Sequence, residues 1–129
     1  MTDDPEAGHA PRWTRVAELD DVKPGALVQV ILKDTQIVVA HASSGLHAFQ
    51  AICPHEMANL VTGRLEATHV VCPRHLAKFD MATGAISPGW SINGLRIYPV
   101  RTIDGWIEID EAAVERAPPF RKKTTWDLT

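Results

Sequence analysis

The chain has 129 residues, of which 45% are hydrophobic and 22% are charged, and its net charge is −3. This length suits one domain with two tails, and the composition excludes general disorder and collagen-like or coiled-coil architectures. The negative charge argues against a nucleic-acid partner, because such a partner requires a concentrated basic face.

The first twelve residues, 1–12, are acidic and contain no apolar run. We expect a flexible acidic leader there and no secretory signal. No window approaches the roughly 18 consecutive apolar residues that a spanning helix needs, so no membrane insertion is expected. The sequence therefore predicts a cytoplasmic protein.

Short apolar segments separated by turn residues fill the first half of the chain. A strand is expected around Trp13 and Val16, before the turn at Pro24-Gly25. Residues 26–32 and 36–42 are rich in Val, Leu and Ile, and Lys33-Asp34 lies between them, which predicts a hairpin. After a turn at residues 43–45, a further strand over residues 46–52 leads directly into Cys53.

The second half continues this pattern. His69–Val71 is a short strand candidate that leads into Cys72, and Thr83-Gly84 reverses the chain. Residues 87–90 include Pro88 and indicate a rigid loop. Residues 95–101 and Trp106–Asp110 alternate apolar and polar side chains around Asp104-Gly105, a strong hairpin signal. The sequence therefore predicts an all-β fold, an antiparallel sandwich or barrel.

Residues 111–129 change in character. Glu111–Arg116 can form a short helix that Pro118 and Pro119 end, and a basic cluster follows at residues 121–123. The favoured interpretation is a solvated tail. The alternative is a segment that packs on the domain or contacts a partner.

Two metal-binding frames dominate the chemistry of the sequence. Cys53-Pro54-His55 and Cys72-Pro73-Arg74-His75 are separated by sixteen residues, and they contain the only two cysteines. Zinc sites commonly pair cysteines in one short frame and histidines in another, whereas each frame here mixes the two. This arrangement suits a binuclear cluster with Cys53 and Cys72 on one iron and His55 and His75 on the other. A structural zinc module remains the alternative.

Together with Phe79-Asp80 and Thr83-Gly84, these frames resemble the Rieske iron-sulfur family over residues 13–110. The resemblance implies a Rieske-type antiparallel β-sandwich with an inserted cluster-binding subdomain, about residues 53–90, and a C-terminal extension over residues 111–129. It implies one Rieske 2Fe-2S cluster bound by Cys53, His55, Cys72 and His75, with residues 87–90 as the loop that covers it.

The positions around the frames predict the reduction potential. High-potential members of the family carry an additional cysteine in each loop and hydroxyl donors to the cluster. This chain has Met57 or Ala58 and Arg74 at the cysteine positions, and Ala77 and Phe79 at the hydroxyl positions. Fewer hydrogen bonds to sulfur leave the reduced, more negative cluster less stabilised. We expect a potential toward the low end of the Rieske range, around −150 mV.

The resemblance implies an electron-carrying ferredoxin and not an enzyme, and the sequence has no dinucleotide-binding fingerprint. Its expected partners are a flavin-containing NADH reductase and a terminal oxygenase that docks near His55 and His75. A diiron monooxygenase is slightly favoured as the client over a ring-hydroxylating dioxygenase. The alternative function is the small Rieske-like subunit of an assimilatory nitrite reductase. Trp13, Trp106 and Phe49 are expected in the core, and Arg74 and Lys78 are expected to steer docking.

Overall fold

The structure, a computed structural model, describes residues 10–54, 57–74, 77–87 and 94–120. Within these ranges it forms three antiparallel sheets and one α-helix, which confirms the all-β prediction. Sheet 1 has the strand order β1-β11-β10 (Trp13–Glu18, Trp106–Asp110 and Val100–Ile103), sheet 2 has β2-β3-β4-β9 (Leu27–Leu32, Thr35–Ala42, Gly45–Gln50 and Ile97–Tyr98), and sheet 3 has β5-β6-β7-β8 (Arg64–Glu66, His69–Val71, Lys78–Asp80 and Ile86–Ser87).

The hairpin predicted around Lys33 and Asp34 joins β2 to β3. Both turn residues have a positive φ, 50° and 65°. A two-residue hairpin turn with this conformation at both positions matches the right-handed twist of the flanking strands. The second predicted turn then joins β3 to β4, so three consecutive strands lie side by side.

Strand β3 lies in the middle layer of the fold. Val38 and Ala40 contact an apolar cluster shared with sheet 3, whereas Ile37 and Val39 contact a second cluster shared with sheet 1. All four side chains have no exposed surface. Successive side chains of a strand point to opposite faces, so a strand covered on both faces must be apolar at every position.

The last apolar segment departs from the sequence prediction. One strand is expected over residues 95–101, but the structure has two, β9 and β10, on either side of Pro99. Strand β9 pairs with β4 in sheet 2, and β10 pairs with β11 in sheet 1. Proline has no N–H to donate to a ladder, so pairing stops at Pro99 and the chain changes sheets there. The predicted turn at Asp104-Gly105 joins β10 to β11.

Two of the three aromatic residues predicted for the core lie elsewhere. Phe49 is fully buried, as expected. Trp106 of β11 and Trp13 of β1, which pairs with Asp110, are only partly buried, because they lie on the face of sheet 1 opposite the buried isoleucines of β11. The Arg101 guanidinium lies 4.4 Å from the centre of the Trp13 ring, and that of Arg15 lies 4.8 Å from Trp106. These cation–π contacts cover the rings in place of a core.

The predicted helix, α1, is Glu111–Arg116. Its N-cap is Asp110, whose Oδ1 accepts the N–H of Ala112 at 3.0 Å and that of Arg12 at 2.9 Å. The cap therefore joins the helix to the start of β1. No helix among the described residues has the length and apolarity needed to cross a membrane.

The chain after the helix packs on the domain over residues 117–120, contrary to the favoured solvated tail. The Tyr98 hydroxyl donates to the Ala117 carbonyl at 2.8 Å. Burial raises the pKa of Tyr98 to about 12, so this hydroxyl keeps its proton at neutral pH. The basic cluster at residues 121–123 lies outside the described residues.

The turn between β7 and β8 generates a stability prediction. Gly84 has a φ of 82°, and a Cβ added there would lie 2.1 Å from the Leu95 carbonyl oxygen. Gly25 has a similar φ of 87° but nothing within 4 Å of the added atom. Both alanine substitutions carry the cost of a left-handed backbone, about 1–2 kcal/mol, and only Gly84→Ala adds a clash with backbone. We expect Gly84→Ala to lower the free energy of unfolding in urea by about 1–3 kcal/mol more than Gly25→Ala does; equal losses would contradict the packing described.

Candidate metal centre

The two cysteines lie at the starts of two loops. Cys72 directly follows β6, as the sequence predicts, whereas Cys53 lies three positions after β4, which ends at Gln50 and not at Ile52. Both have no exposed surface, and they are not joined in a disulfide. A metal ion that binds these two thiols must therefore do so in the protein interior.

The same hydrogen bond closes each loop. The N–H of Cys53 donates to the Ala58 carbonyl at 2.8 Å, and the N–H of Cys72 donates to the Ala77 carbonyl, also at 2.8 Å. In each loop the bond spans five residues. Each cysteine is therefore held at the base of a compact loop by its own backbone.

The cysteines of both loops are buried in one apolar cluster. Cys53 and Cys72 belong to the same buried cluster, which also contains Leu60, Phe79 and Met81. The two cysteines, which follow strands of different sheets, are therefore buried in the same apolar cluster. Soft sulfur donors in such a region fit zinc or an iron-sulfur cluster.

The predicted histidine ligands, His55 and His75, lie outside the described residues, as does the covering loop from Pro88 onward. Among the residues that the structure describes, no group of three or more His, Cys, Asp or Glu side chains could hold a metal ion. The structure therefore places both cysteines in one buried cluster, and the ligand set remains a prediction.

Asn59, which the sequence reasoning missed, braces the first loop. Its backbone bridges to Ile52, its Oδ1 accepts the Val61 N–H at 2.9 Å, and its amide donates to Gln29 of β2. An asparagine directly before a short helical turn is a recognisable N-cap signal. The link to Gln29 carries no such local signal.

Charged side chains flank the second loop. Glu66 forms ion pairs with Lys78 and Arg64, each with a nitrogen to oxygen distance of 2.8 Å. The hydrogen bond from Lys78, followed by that from Arg64, holds the pKa of Glu66 below its usual value. Arg74 is exposed, and it directly precedes His75 in the chain. The positive charge of Lys78 is therefore partly offset by the Glu66 carboxylate.

The family model for the Rieske [2Fe-2S] domain matches residues 12–99. The chain belongs to this family. Membership confirms the predicted Rieske-type β-sandwich and implies one Rieske 2Fe-2S cluster, which the buried sulfur pair fits.

Three known proteins show the range of the similarity. A ferredoxin component of naphthalene 1,2-dioxygenase/salicylate 5-hydroxylase systems from Ralstonia is 29% identical over 89 residues, 69% of this chain and 86% of that protein. The solved ferredoxin of Sphingomonas yanoikuyae B1 is 30% identical, with a TM-score of 0.69 over 77% of this chain and 98% of its own. A candidate small subunit of NADH-dependent nitrite reductase from Mycobacterium tuberculosis has a TM-score of 0.71 over 78% of this chain and 96% of its own, but at 24% identity this shows the fold alone.

Family membership and the ferredoxin relatives support an electron-transfer role for this Rieske protein, not a catalytic one. The chain spans most of the length of these relatives. The similarity to these ferredoxins therefore extends over most of their length.

The matched alanines of the two loops generate a prediction about the reduction potential. Ala77 stands where the resemblance implies a hydroxyl donor, so we expect Ala77→Ser to add a hydrogen bond that stabilises the reduced state. A net bond of about 0.5–1.5 kcal/mol would raise the potential by about 20–60 mV, measured by redox titration. Ala58→Ser changes the matching position of the other loop and should leave the potential nearly unchanged. Equal shifts in both variants would show a general effect of polarity.

Proposed function

We propose that this Rieske protein is the ferredoxin of a multicomponent oxygenase and carries single electrons from a flavin-containing NADH reductase to the terminal oxygenase. The observation that carries this proposal is the pair of matched loops, which bury Cys53 and Cys72 in one apolar cluster of a single small domain. The ferredoxin components among its relatives support the same role.

The proposed ligands are Cys53 and Cys72 for the inner iron and His55 and His75 for the outer iron. When bound, a Rieske cluster takes up and releases one electron at a time. The cysteines supply a fixed, buried base for it. The apolar cluster around the cysteines excludes water. This favours the oxidised state of the iron-sulfur cluster, which carries less charge, and therefore a low reduction potential.

We propose that both partners dock near His55 and His75, with Arg74 beside this face. An exposed guanidinium at the edge of a docking face raises the encounter rate with an acidic partner. Lys78 contributes less than the sequence suggests, because Glu66 pairs with it.

Among clients, we now favour a ring-hydroxylating dioxygenase over the diiron monooxygenase that the sequence slightly favoured. The reason is the named system of the Ralstonia relative, which includes naphthalene 1,2-dioxygenase. A cytoplasmic location accords with this role, because a reducing compartment keeps both cysteines available as ligands.

The second candidate function is the small subunit of a nitrite reductase, which the fold similarity keeps open. A zinc-binding module is a poorer fit, since the Rieske model matches most of the chain. The two electron-carrying candidates differ in their acceptor. Reduction of a terminal dioxygenase by the reduced protein, with none of a nitrite reductase, would decide for the ferredoxin.

The ligand set is tested by anaerobic reconstitution with iron and sulfide. We expect a red-brown protein with equal amounts of iron and sulfide and a Rieske-type electron paramagnetic resonance signal. Each of Cys53→Ser, Cys72→Ser, His55→Ala and His75→Ala should retain below about one tenth of the visible absorbance, because every ligand is needed. His69→Ala, a histidine just outside the second frame, is the matched control and should keep the colour. A colourless, zinc-loaded wild-type protein would sink the proposal.

The docking face is tested by charge reversal at Arg74. We expect Arg74→Glu to slow electron delivery to the oxygenase about tenfold at low salt and to weaken its salt dependence, with an unchanged maximal rate. The control Lys23→Glu reverses an exposed charge in the segment before β2, outside both ligand loops, and should change little. An Arg74→Glu protein with wild-type rates at every salt concentration would show that docking occurs elsewhere.

A further inference from the structure

The chain beyond helix α1 is joined to the first ligand loop through one side chain, Gln50. Gln50 has no exposed surface and ends β4, three positions before Cys53. A primary amide offers two N–H donors and a carbonyl oxygen with two lone pairs. All four hydrogen-bonding positions of Gln50 are used.

The four bonds of Gln50 connect three separate segments. Nε2 donates to the carbonyls of Ile52 at 2.8 Å and Phe120 at 2.9 Å. Oε1 accepts the N–H of Arg96 at 2.8 Å and that of Phe120 at 3.1 Å. Because Phe120 supplies both a donor and an acceptor, it reinforces the orientation of the amide that the bonds to Ile52 and Arg96 require.

The bond to Ile52 acts directly on the first cysteine. The carbonyl of Ile52 and the N–H of Cys53 belong to one planar peptide. Gln50 holds the carbonyl edge of this peptide, and the Ala58 carbonyl holds the N–H edge at 2.8 Å. The orientation of the backbone that carries the Cys53 sulfur is therefore set from both sides.

The segment that contains Phe120, residues 117–120, has anchors of its own, and we call it the strap. Tyr98 donates to the Ala117 carbonyl, and Arg96 Nε donates to the Pro118 carbonyl at 3.1 Å. The Arg96 guanidinium also lies 4.0 Å from the centre of the Phe120 ring. These contacts fix the position of Phe120 beside Gln50.

We propose that the strap positions the first cluster-binding cysteine, Cys53, through Gln50. This role rests on the proposed ligand set. Without the strap, Gln50 keeps only its bonds to Ile52 and Arg96, and water takes the place of the donor and the acceptor that Phe120 supplied. With two of its four bonds lost, the amide holds the Ile52 carbonyl less rigidly, and the cysteine binds the metal in a less defined geometry. Partners that orient a ligand in this way are commonly worth 10-fold or more in metal affinity.

Two truncations isolate the strap. One chain ends at Phe120 and keeps it, and the other ends at Arg116 and lacks it, so they differ only in residues 117–120. Both are reconstituted with iron and sulfide and compared with the full chain. The readouts are the rate of colour loss to an iron chelator, the reduction potential, the electron paramagnetic resonance line shape and the temperature of unfolding.

We expect the chain that ends at Phe120 to match the full chain. The chain that ends at Arg116 should lose colour about tenfold faster, with a broadened resonance signal and a changed potential. A lower unfolding temperature with an unchanged line shape, potential and release rate would show that the strap only stabilises the fold, and this would overturn the proposal.

The variant Gln50→Leu tests the same link in the full chain, and it decides the question if the shorter truncation does not fold. It fills a similar volume without hydrogen bonds and should reproduce the faster release and the altered signal. Combined with the truncation at Arg116, it should add little further effect, because both changes remove one connection. Fully additive effects would overturn the link through Gln50.

Failure of the proposed function and failure of the strap give different results. A full-length chain that takes up no cluster would contradict the proposed function. A stable cluster in the full-length chain, with variants that behave like it, would contradict only the role of the strap.

Discussion

Burial of strand β3 on both faces is the constraint on which the rest of the structure depends. Ile37 and Val39 on one face and Val38 on the other are fully buried, and each such side chain contributes about 1.5–3 kcal/mol by leaving water. Sheet 1 and helix α1 cover one face of β3, and sheet 3 covers the other. Strand β4 pairs with this central strand along its whole length, so the first ligand loop leaves the middle layer and not a frayed edge.

The two ligand loops originate in different sheets, and therefore the site depends on how sheet 3 packs on sheet 2. Cys53 follows a strand of sheet 2, and Cys72 follows a strand of sheet 3. The helical turn that leads from the first loop into sheet 3 is joined to the chain just after β4 by the N–H of Leu60, which donates to the Ala51 carbonyl at 2.7 Å. Each cysteine is fixed locally by an identical backbone bond, but the relation between the two sulfurs is a tertiary property. Loss of packing between the layers would separate the donors without changing either loop.

Local patterns predict much of this fold, and long-range pairings account for what they miss. The hairpin at Lys33-Asp34 and the strands before both cysteines follow from residues adjacent in the chain, and so do the metal-binding frames. The division at Pro99 could have been anticipated from its missing N–H, but the change of sheet could not. The contact of Gln50 with Phe120 joins residues 70 positions apart. A glutamine at a strand end carries no sign of a partner that far away, so the strap is visible only in three dimensions.

The charges near the second loop bear on encounter with a partner more than on affinity. Arg64, Glu66 and Lys78 form one exposed triad with a net charge of +1, and the lowered pKa of Glu66 keeps its carboxylate ionised at neutral pH. Salt screens such exposed charges over about 8 Å at physiological ionic strength. Arg74 is exposed and directly precedes the proposed ligand His75 in the chain. Arg74 and the triad therefore each contribute one net positive charge, and Arg74 is nearer in the chain to the proposed docking face.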